Sequence, residues 1–199
     1  RTLLNLLARL SGIATGTARM VALVAGTKAR VLDTRKTTPG LRALEKYAVR
    51  CGGGFSHRLG LYDALLIKDN HLAHVPLERL GAHVSAAVGK AHAIAAEHGG
   101  RLGFAECEVD TLDQFRVIVA SGGCGLDVVL LDNMSIENLR DAVRLRDLSK
   151  LPLQLEASGG VHERSIRSIA ETGIDRISVG ALTHQAVSLD FGLDFDAAA

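Results

Sequence analysis

Nine basic residues fall between Lys28 and Lys68 against three acids, Asp33, Glu45 and Asp63, a formal charge of +6. The whole chain carries only +1, so the remainder is acidic. Arg42, Lys46 and Arg50 recur at helical spacing and read as the solvated face of a helix. The other cations read differently. Arg35, Lys36, Arg58 and Lys68, with His57 beside them, suit carboxylates or phosphates, arginine as a planar fork and lysine as a point charge. Glu108 and Asp132 come from two separate predicted strands without forming a dedicated cage. That arrangement fits Mg²⁺, which keeps waters and leans on substrate phosphates. Ser158-Gly159-Gly160, and later Gly180-Ala181, are small-residue turns where backbone N–H groups can approach a phosphate. Together these groups predict a phosphorylated, polyanionic substrate handled with magnesium.

The elements that must position them alternate. Short β-branched or leucine-rich runs predict strands over Ala29–Thr34, Ala64–Lys68, Leu102–Val109, Val128–Asp132, Leu153–Ala157 and Arg176–Gly180, with Ala48–Cys51 a weaker seventh. Helical patterns fill Leu41–Tyr47, Leu77–Glu97, Thr111–Ala120, Ile136–Leu145 and His162–Glu171, with Thr111 and Ser135 as N-caps. Repeated strand–helix units without a GxGxxG turn predict an α/β fold, a TIM-like parallel β/α barrel, seven-stranded or incomplete. In such a barrel chemistry sits at the C-terminal strand ends. Those ends carry Arg35 and Lys36, then Lys68, Glu108, Asp132, Ser158 to Gly160, and Gly180. A polar ring of that kind costs desolvation unless a ligand compensates it.

The rest of the chain narrows the reading by exclusion. With 199 residues, 47% hydrophobic and 23% charged, it has the composition of one soluble domain spanning residues 1–199. The near-neutral balance and scarcity of aromatics argue against nucleic-acid and membrane partners. Cys51, Cys107 and Cys124 form no CxxC pair and read as buried reduced thiols of a cytoplasmic protein. No P-loop or HExxH occurs. His71 and His74 read as surface or capping residues, and His83, His92 and His98 as solvated. Leu3, Leu6, Leu7 and Leu10 already show helical periodicity, so residues 1–25 are expected to link from a preceding domain, while Ala197–Ala199 reads as a frayed tail.

One run names a family. Asp33-Thr34-Arg35-Lys36-Thr37-Thr38-Pro39-Gly40-Leu41-Arg42, followed by His57-Arg58-Leu59-Gly60-Leu61 and Leu66-Ile67-Lys68-Asp69-Asn70-His71, closely resembles the quinolinate phosphoribosyltransferases. Glu106-Cys107-Glu108-Val109-Asp110, Leu130-Leu131-Asp132-Asn133, Glu156-Ala157-Ser158-Gly159-Gly160 and Val179-Gly180-Ala181-Leu182-Thr183 continue the match. The resemblance implies magnesium-dependent transfer of phosphoribosyl from phosphoribosyl pyrophosphate to quinolinate, with loss of pyrophosphate and CO₂ to give nicotinate mononucleotide. It implies that Arg35, His57 and Arg58 hold the acceptor carboxylates, and that Lys36 and Lys68 meet the pyrophosphate. Glu108 and Asp132 would bind ribose hydroxyls and magnesium. Ser158, Gly159, Gly160 and Gly180 would cradle the 5-phosphate, with Thr34, Val179, Ala181 and His184 also against substrate. Lys36, Lys68, Glu108 and Asp132 are the catalytic set it implies. It further implies an N-terminal sandwich domain ahead of this chain that completes the neighbouring subunit's site in a homodimer or higher even oligomer. A paralogous family associated with molybdate transport shares much of this ring, and a non-catalytic sugar-phosphate-binding barrel is a further alternative. A Schiff-base aldolase on Lys68 is disfavoured by the charged groups flanking it.

Overall fold

The computed structural model describes residues 1–194; the tail at Ala197–Ala199 lies outside them. The chain runs α1 (Thr2–Leu23), β1 (Arg30–Leu32), α2 (Arg42–Cys51), β2 (Leu65–Ile67), α3 (Asp69–Leu72) and α4 (Leu77–Glu97). It continues through β3 (Ala105–Val109), α5 (Leu112–Ala120), a 3₁₀ turn at Gly122–Gly125, β4 (Val128–Asp132) and α6 (Ile136–Ser149). The last elements are β5 (Gln154–Ser158), α7 (Ile166–Ala170), β6 (Arg176–Ser178) and α8 (Ala181–His184). All neighbouring strands are parallel, in the order β1-β6-β5-β4-β3-β2.

This is the incomplete barrel that the alternation predicts, with six strands. The weak seventh strand at Ala48–Cys51 is instead the last turn of α2. Its residues stay helical because Ala48 and Val49 are buried, and because the helix end lies flush on α1: a Cβ at Gly52 would stand 2.4 Å from the Ala14 carbonyl oxygen. Phe55 takes the free edge of β1, bridging Leu32 in parallel. Beyond it, His57 reaches within 2.9 Å of Glu106 on β3. Strands about 4.8 Å apart would hold β1 and β3 far from each other in a flat sheet, so the sheet must curl round to bring those side chains together.

Period-two alternation explains where the core lies. Cys107, Val109, Val129, Leu131, Leu155, Ala157 and Ile177 share the apolar cluster with Phe115 and Ile118 of α5, Leu139 and Ala142 of α6, and Ile166 and Ile169 of α7. The alternate positions, Glu106, Glu108, Glu156 and Arg176, point the other way. The main apolar core therefore lies between sheet and helices, and the strands' second face carries these charged groups among Leu66, Val128 and Leu130. Local signals start the helices. Thr111 accepts from the Gln114 N–H at 3.2 Å while the Gln114 side chain accepts from the Thr111 N–H at 3.1 Å, a reciprocal cap. Ser135 caps α6 by accepting from the Asn138 N–H. At the N-terminal strand ends carboxylates serve the fold: Asp127 accepts from the Ala105 N–H and Asp175 from the Leu155 N–H, both at 2.8 Å.

Several sequence expectations need correction. Lys46 is fully buried rather than solvated, because Asp33 receives its ammonium from across the fold. Cys51 is exposed, whereas Cys107 and Cys124 are buried. The helix expected from His162 begins only at Ile166. Leu3 and Leu7 of α1 remain exposed. Among the described residues no helix is long and apolar enough to cross a membrane.

Candidate functional site

At the C-terminal ends of the strands lies a cavity of about 790 Å³. Thr34, Arg35, Lys36, His57, Arg58, Lys68, Glu108 and Asp132 line it, with Ser158, Gly159, Gly160, Gly180, Ala181 and His184 along the late strands. Of the residues expected at the site, only Val179 is outside the lining; it is buried behind the turn it precedes.

On one side the cations stand unpaired. Arg58 is 9% exposed, and among the described residues the one hydrogen bond from its guanidinium goes to the Ala64 carbonyl oxygen at 3.4 Å. The Arg35 Nε is buried and, among the described residues, without a partner. The ion pairs near this end go to Lys46 and Lys68, and among the described residues none reaches Arg35, Lys36 or Arg58. Burial first, then the charge of Arg35, holds the Arg58 pKa below its ordinary value. Two arginines that repel one another and, among the described residues, make no ion pair with a carboxylate form a receptor for a ligand bearing negative charge.

Opposite them the acids gather. Lys68, whose backbone N–H donates to His71 Nδ1 at 2.8 Å, places its ammonium 3.1 Å from Glu108 and 4.0 Å from Asp69. His71 is thus the capping histidine its position predicts. Burial would lower the Lys68 pKa, but Glu108 outweighs it and raises it. Asp132 accepts from the Asn133 side-chain amide at 2.7 Å. Burial, then Asp69 and Asp132, raises the Asp110 pKa, so negative charge here exceeds what Lys68 neutralises. Glu108 and Asp132 stand on adjacent strands as two hard oxygen donors at the edge of an open cavity. This donor set fits a magnesium ion that keeps waters and substrate oxygens for its remaining positions.

The late-strand turns admit backbone close to a ligand. Gly159 has φ +94°, and a Cβ there would stand 2.1 Å from the Asn133 side-chain oxygen. At Gly180 a Cβ would meet the Lys36 side chain at 3.1 Å and His184 at 3.3 Å.

Beneath the arginines lies a network whose roles the sequence analysis missed. His57 Nε2 is 2.9 Å from Glu106 and 3.4 Å from Glu156, both fully buried, and Arg176 holds Glu156 at 2.6 Å. Burial alone would lower the His57 pKa, but the two carboxylates outweigh it and push it up to about 9. The Arg58 backbone N–H donates to Nδ1 at 2.8 Å, which favours the neutral ring because charging would remove that lone pair. Both ring nitrogens of His57 therefore already stand against protein groups. Burial, then Glu156, raises the Glu106 pKa. Burial would raise Glu156 too, but His57 and Arg176 outweigh it. His57, Glu106 and Glu156 also bring possible ligand atoms within 4.8 Å of one another. With Arg176 already on Glu156, and Arg58 close enough to feel the charge of Glu106, the cluster is a charge network rather than a cation site. Asp33 and Lys46 pin the same segment: Asp33 accepts from the His57 N–H at 2.8 Å and Lys46 donates to the His57 carbonyl oxygen at 3.2 Å.

The model of a family described as quinolinate phosphoribosyl transferase, C-terminal domain, matches residues 13–194. The chain belongs to this family. It is similar to the nicotinate-nucleotide pyrophosphorylase (carboxylating) of Mycobacterium leprae, 46% identical over 194 residues that cover 98% of this chain and 63% of that protein. To the probable nicotinate-nucleotide pyrophosphorylase (carboxylating) of Bacillus subtilis it is 41% identical, over 98% of this chain and 62% of the relative. The solved nicotinate-nucleotide pyrophosphorylase of Ehrlichia chaffeensis superposes with a TM-score of 0.81 at 38% identity, covering 98% of this chain and 65% of that one. That of Francisella tularensis gives 0.79 at 42%, covering 96% and 61%. The chain thus spans somewhat over three fifths of the length of these quinolinate phosphoribosyltransferase-family relatives.

Proposed function

We propose that this chain is the catalytic barrel of a cytoplasmic enzyme that transfers phosphoribosyl from phosphoribosyl pyrophosphate to quinolinate, releasing pyrophosphate and CO₂ and leaving nicotinate mononucleotide for NAD biosynthesis. The observation that carries this reading is the unpaired Arg35–Arg58 couple facing the same cavity as the acids on β3 and β4. A sugar-phosphate binder needs the glycine turns but has no use for a second site built from two arginines.

In this reading Arg35 and Arg58 grip the acceptor's two carboxylates and orient its ring nitrogen towards the sugar. Ser158, Gly159, Gly160 and Gly180 take the 5-phosphate on backbone N–H groups, with His184 alongside. Lys36 and Lys68 meet the pyrophosphate and offset the charge that grows on it as its bond to the ribose breaks. Glu108 and Asp132 face the ribose, where they tolerate the positive charge that develops on the sugar, and they would hold magnesium. That ion would supply further charge neutralisation on the leaving pyrophosphate. The new bond joins the ring nitrogen to the ribose as the bond to pyrophosphate breaks, the 2-carboxylate then departs as CO₂, and the electron pair it leaves on that ring carbon takes up a proton from solvent. The barrel works in a homodimer or higher even oligomer, where the neighbouring subunit's N-terminal domain completes the site.

Calorimetry on this chain tests the acceptor assignment. Quinolinate should bind more tightly than nicotinate, which lacks one carboxylate, and Arg58→Ala should abolish the difference. Equal affinity for the two acids in the parent chain would overturn the assignment.

A further inference from the structure

Arg9 of α1 lines no part of the cavity, yet its guanidinium ties together the two segments that form the phosphate end of it. Nε and Nη2 donate to Glu45 Oε1 at 3.0 and 2.9 Å. Nη2 also reaches the Thr183 carbonyl oxygen at 2.7 Å and Thr38 Oγ1 at 3.2 Å, and Nη1 reaches the Ala186 carbonyl oxygen at 3.2 Å. Glu45, fully buried on α2, spends its other contacts on the same loop, accepting from the Thr38 N–H at 3.0 Å and the Thr38 hydroxyl at 2.8 Å. Thr183 closes the circuit, its hydroxyl donating to the Lys36 carbonyl oxygen at 2.7 Å.

Three of the four acceptor residues, Thr38, Thr183 and Ala186, lie within two positions of a residue that lines the cavity. Thr38 lies just past Lys36, and Thr183 sits on the short helix opened by Gly180. Where these segments meet, a Cβ at Gly180 would be 3.1 Å from the Lys36 side chain, so a small shift of either loop changes the space a phosphate would enter. A lone carboxylate–cation pair could neutralise Glu45 without Arg9's other bonds. The planar fork is what lets one side chain reach Glu45, Thr38 and two carbonyls of the α8 segment together, and a lysine ammonium cannot reproduce it.

We propose that Arg9, acting through Glu45, Thr38 and Thr183, is a positioning residue that locks the Lys36 loop onto the Gly180 turn and so sets affinity for the phosphoribosyl donor. The proposal rests on the donor assignment made under Proposed function. Acceptor affinity should be indifferent to it, because Arg58 is held through His57 by Asp33 and Lys46, and none of the clasp's bonds is made to the Arg35 side chain.

Two variants of the full chain test it. Arg9→Lys keeps charge opposite Glu45 but loses the fork. Thr183→Val removes the hydroxyl on Lys36 while leaving Arg9 and Glu45 paired, so it keeps the test open should Arg9→Lys fail to fold. Phosphoribosyl pyrophosphate with magnesium, and quinolinate separately, are titrated into each, with thermal unfolding alongside. Donor affinity should fall about tenfold in Arg9→Lys, about 1.4 kcal/mol, and less in Thr183→Val, with quinolinate affinity unchanged. The double variant should be weakened by less than the two single losses combined, as expected of residues in one circuit. Unchanged donor affinity in the folded variants, or equal loss for both ligands, overturns the clasp while leaving the function standing. A parent chain that binds no donor overturns both.

Discussion

Replacing Lys46 by methionine would separate the cost of a buried ion pair from its use. Lys46 and Asp33 are both fully buried. Burial, the largest influence on each, raises the Asp33 pKa and lowers that of Lys46, so charging the pair costs more than their attraction returns. Lys46→Met leaves the Asp33 carboxylate uncompensated apart from the His57 N–H, and losing one partner of a buried pair costs about 3–5 kcal/mol. For a chain of this length each kcal/mol moves the melting temperature by about 2–4 °C, so the midpoint should fall by about 6–20 °C. Asp33→Asn with Lys46→Met removes the charge altogether, keeps an acceptor for the His57 N–H, and should recover most of that loss. Urea unfolding of parent, single and double variants measures both numbers. The reasoning is refuted if the single variant loses less than about 1 kcal/mol, or if the double is as unstable as the single. Because both partners hold the His57 peptide, Lys46→Met should also weaken quinolinate binding at temperatures where the variant remains folded.

Gly159→Ala should cripple donor binding and cost about 1–3 kcal/mol, since φ +94° and the Asn133 side-chain oxygen leave no room for a Cβ; parent-like affinity in a titration would contradict this. Arg58→Ala should lose about 2–5 kcal/mol of quinolinate affinity with little change in stability, read by calorimetry and thermal unfolding together. Asp175 governs an acid limb. Burial would raise its pKa, but Lys28, the Leu155 N–H and Arg146 outweigh it and hold it below 3.8. Its stabilisation is therefore complete above that value and is lost as pH falls through the lower folded pKa. Asp175→Asn should be less stable at neutral pH and should lose less further stability on acidification, as denaturant midpoints across an acid series would show.

What could be read in advance was local. The apolar runs Leu65–Ile67 and Val128–Leu131 deliver Lys68 and Asp132 to strand ends whatever the fold's details, and Thr111 and Ser135 announce their helices through contacts within three residues. Pairings between distant positions were not legible. Lys46 shares its helical spacing with Arg42 and Arg50, and it is Asp33 and the His57 carbonyl oxygen, on other segments, that distinguish it from a solvated neighbour. Alternation puts Glu106 on the same face as Glu108. The alternation predicts a barrel but not which inward side chains meet across it, so the approach of His57 and Glu156 to Glu106 was not legible because it depends on strand order. Val49 beside three glycines looked like the end of a strand; contact with α1, which no local propensity encodes, keeps it helical.

The central claim is tested most directly by incubating the complete enzyme built on this barrel with phosphoribosyl pyrophosphate, magnesium and quinolinate labelled in its 2-carboxylate. The account predicts labelled CO₂ and nicotinate mononucleotide in equal amounts, both dependent on the donor and both lost in Arg35→Ala. Nucleotide formed only from another pyridine acid, or donor binding with no CO₂ released, would contradict it.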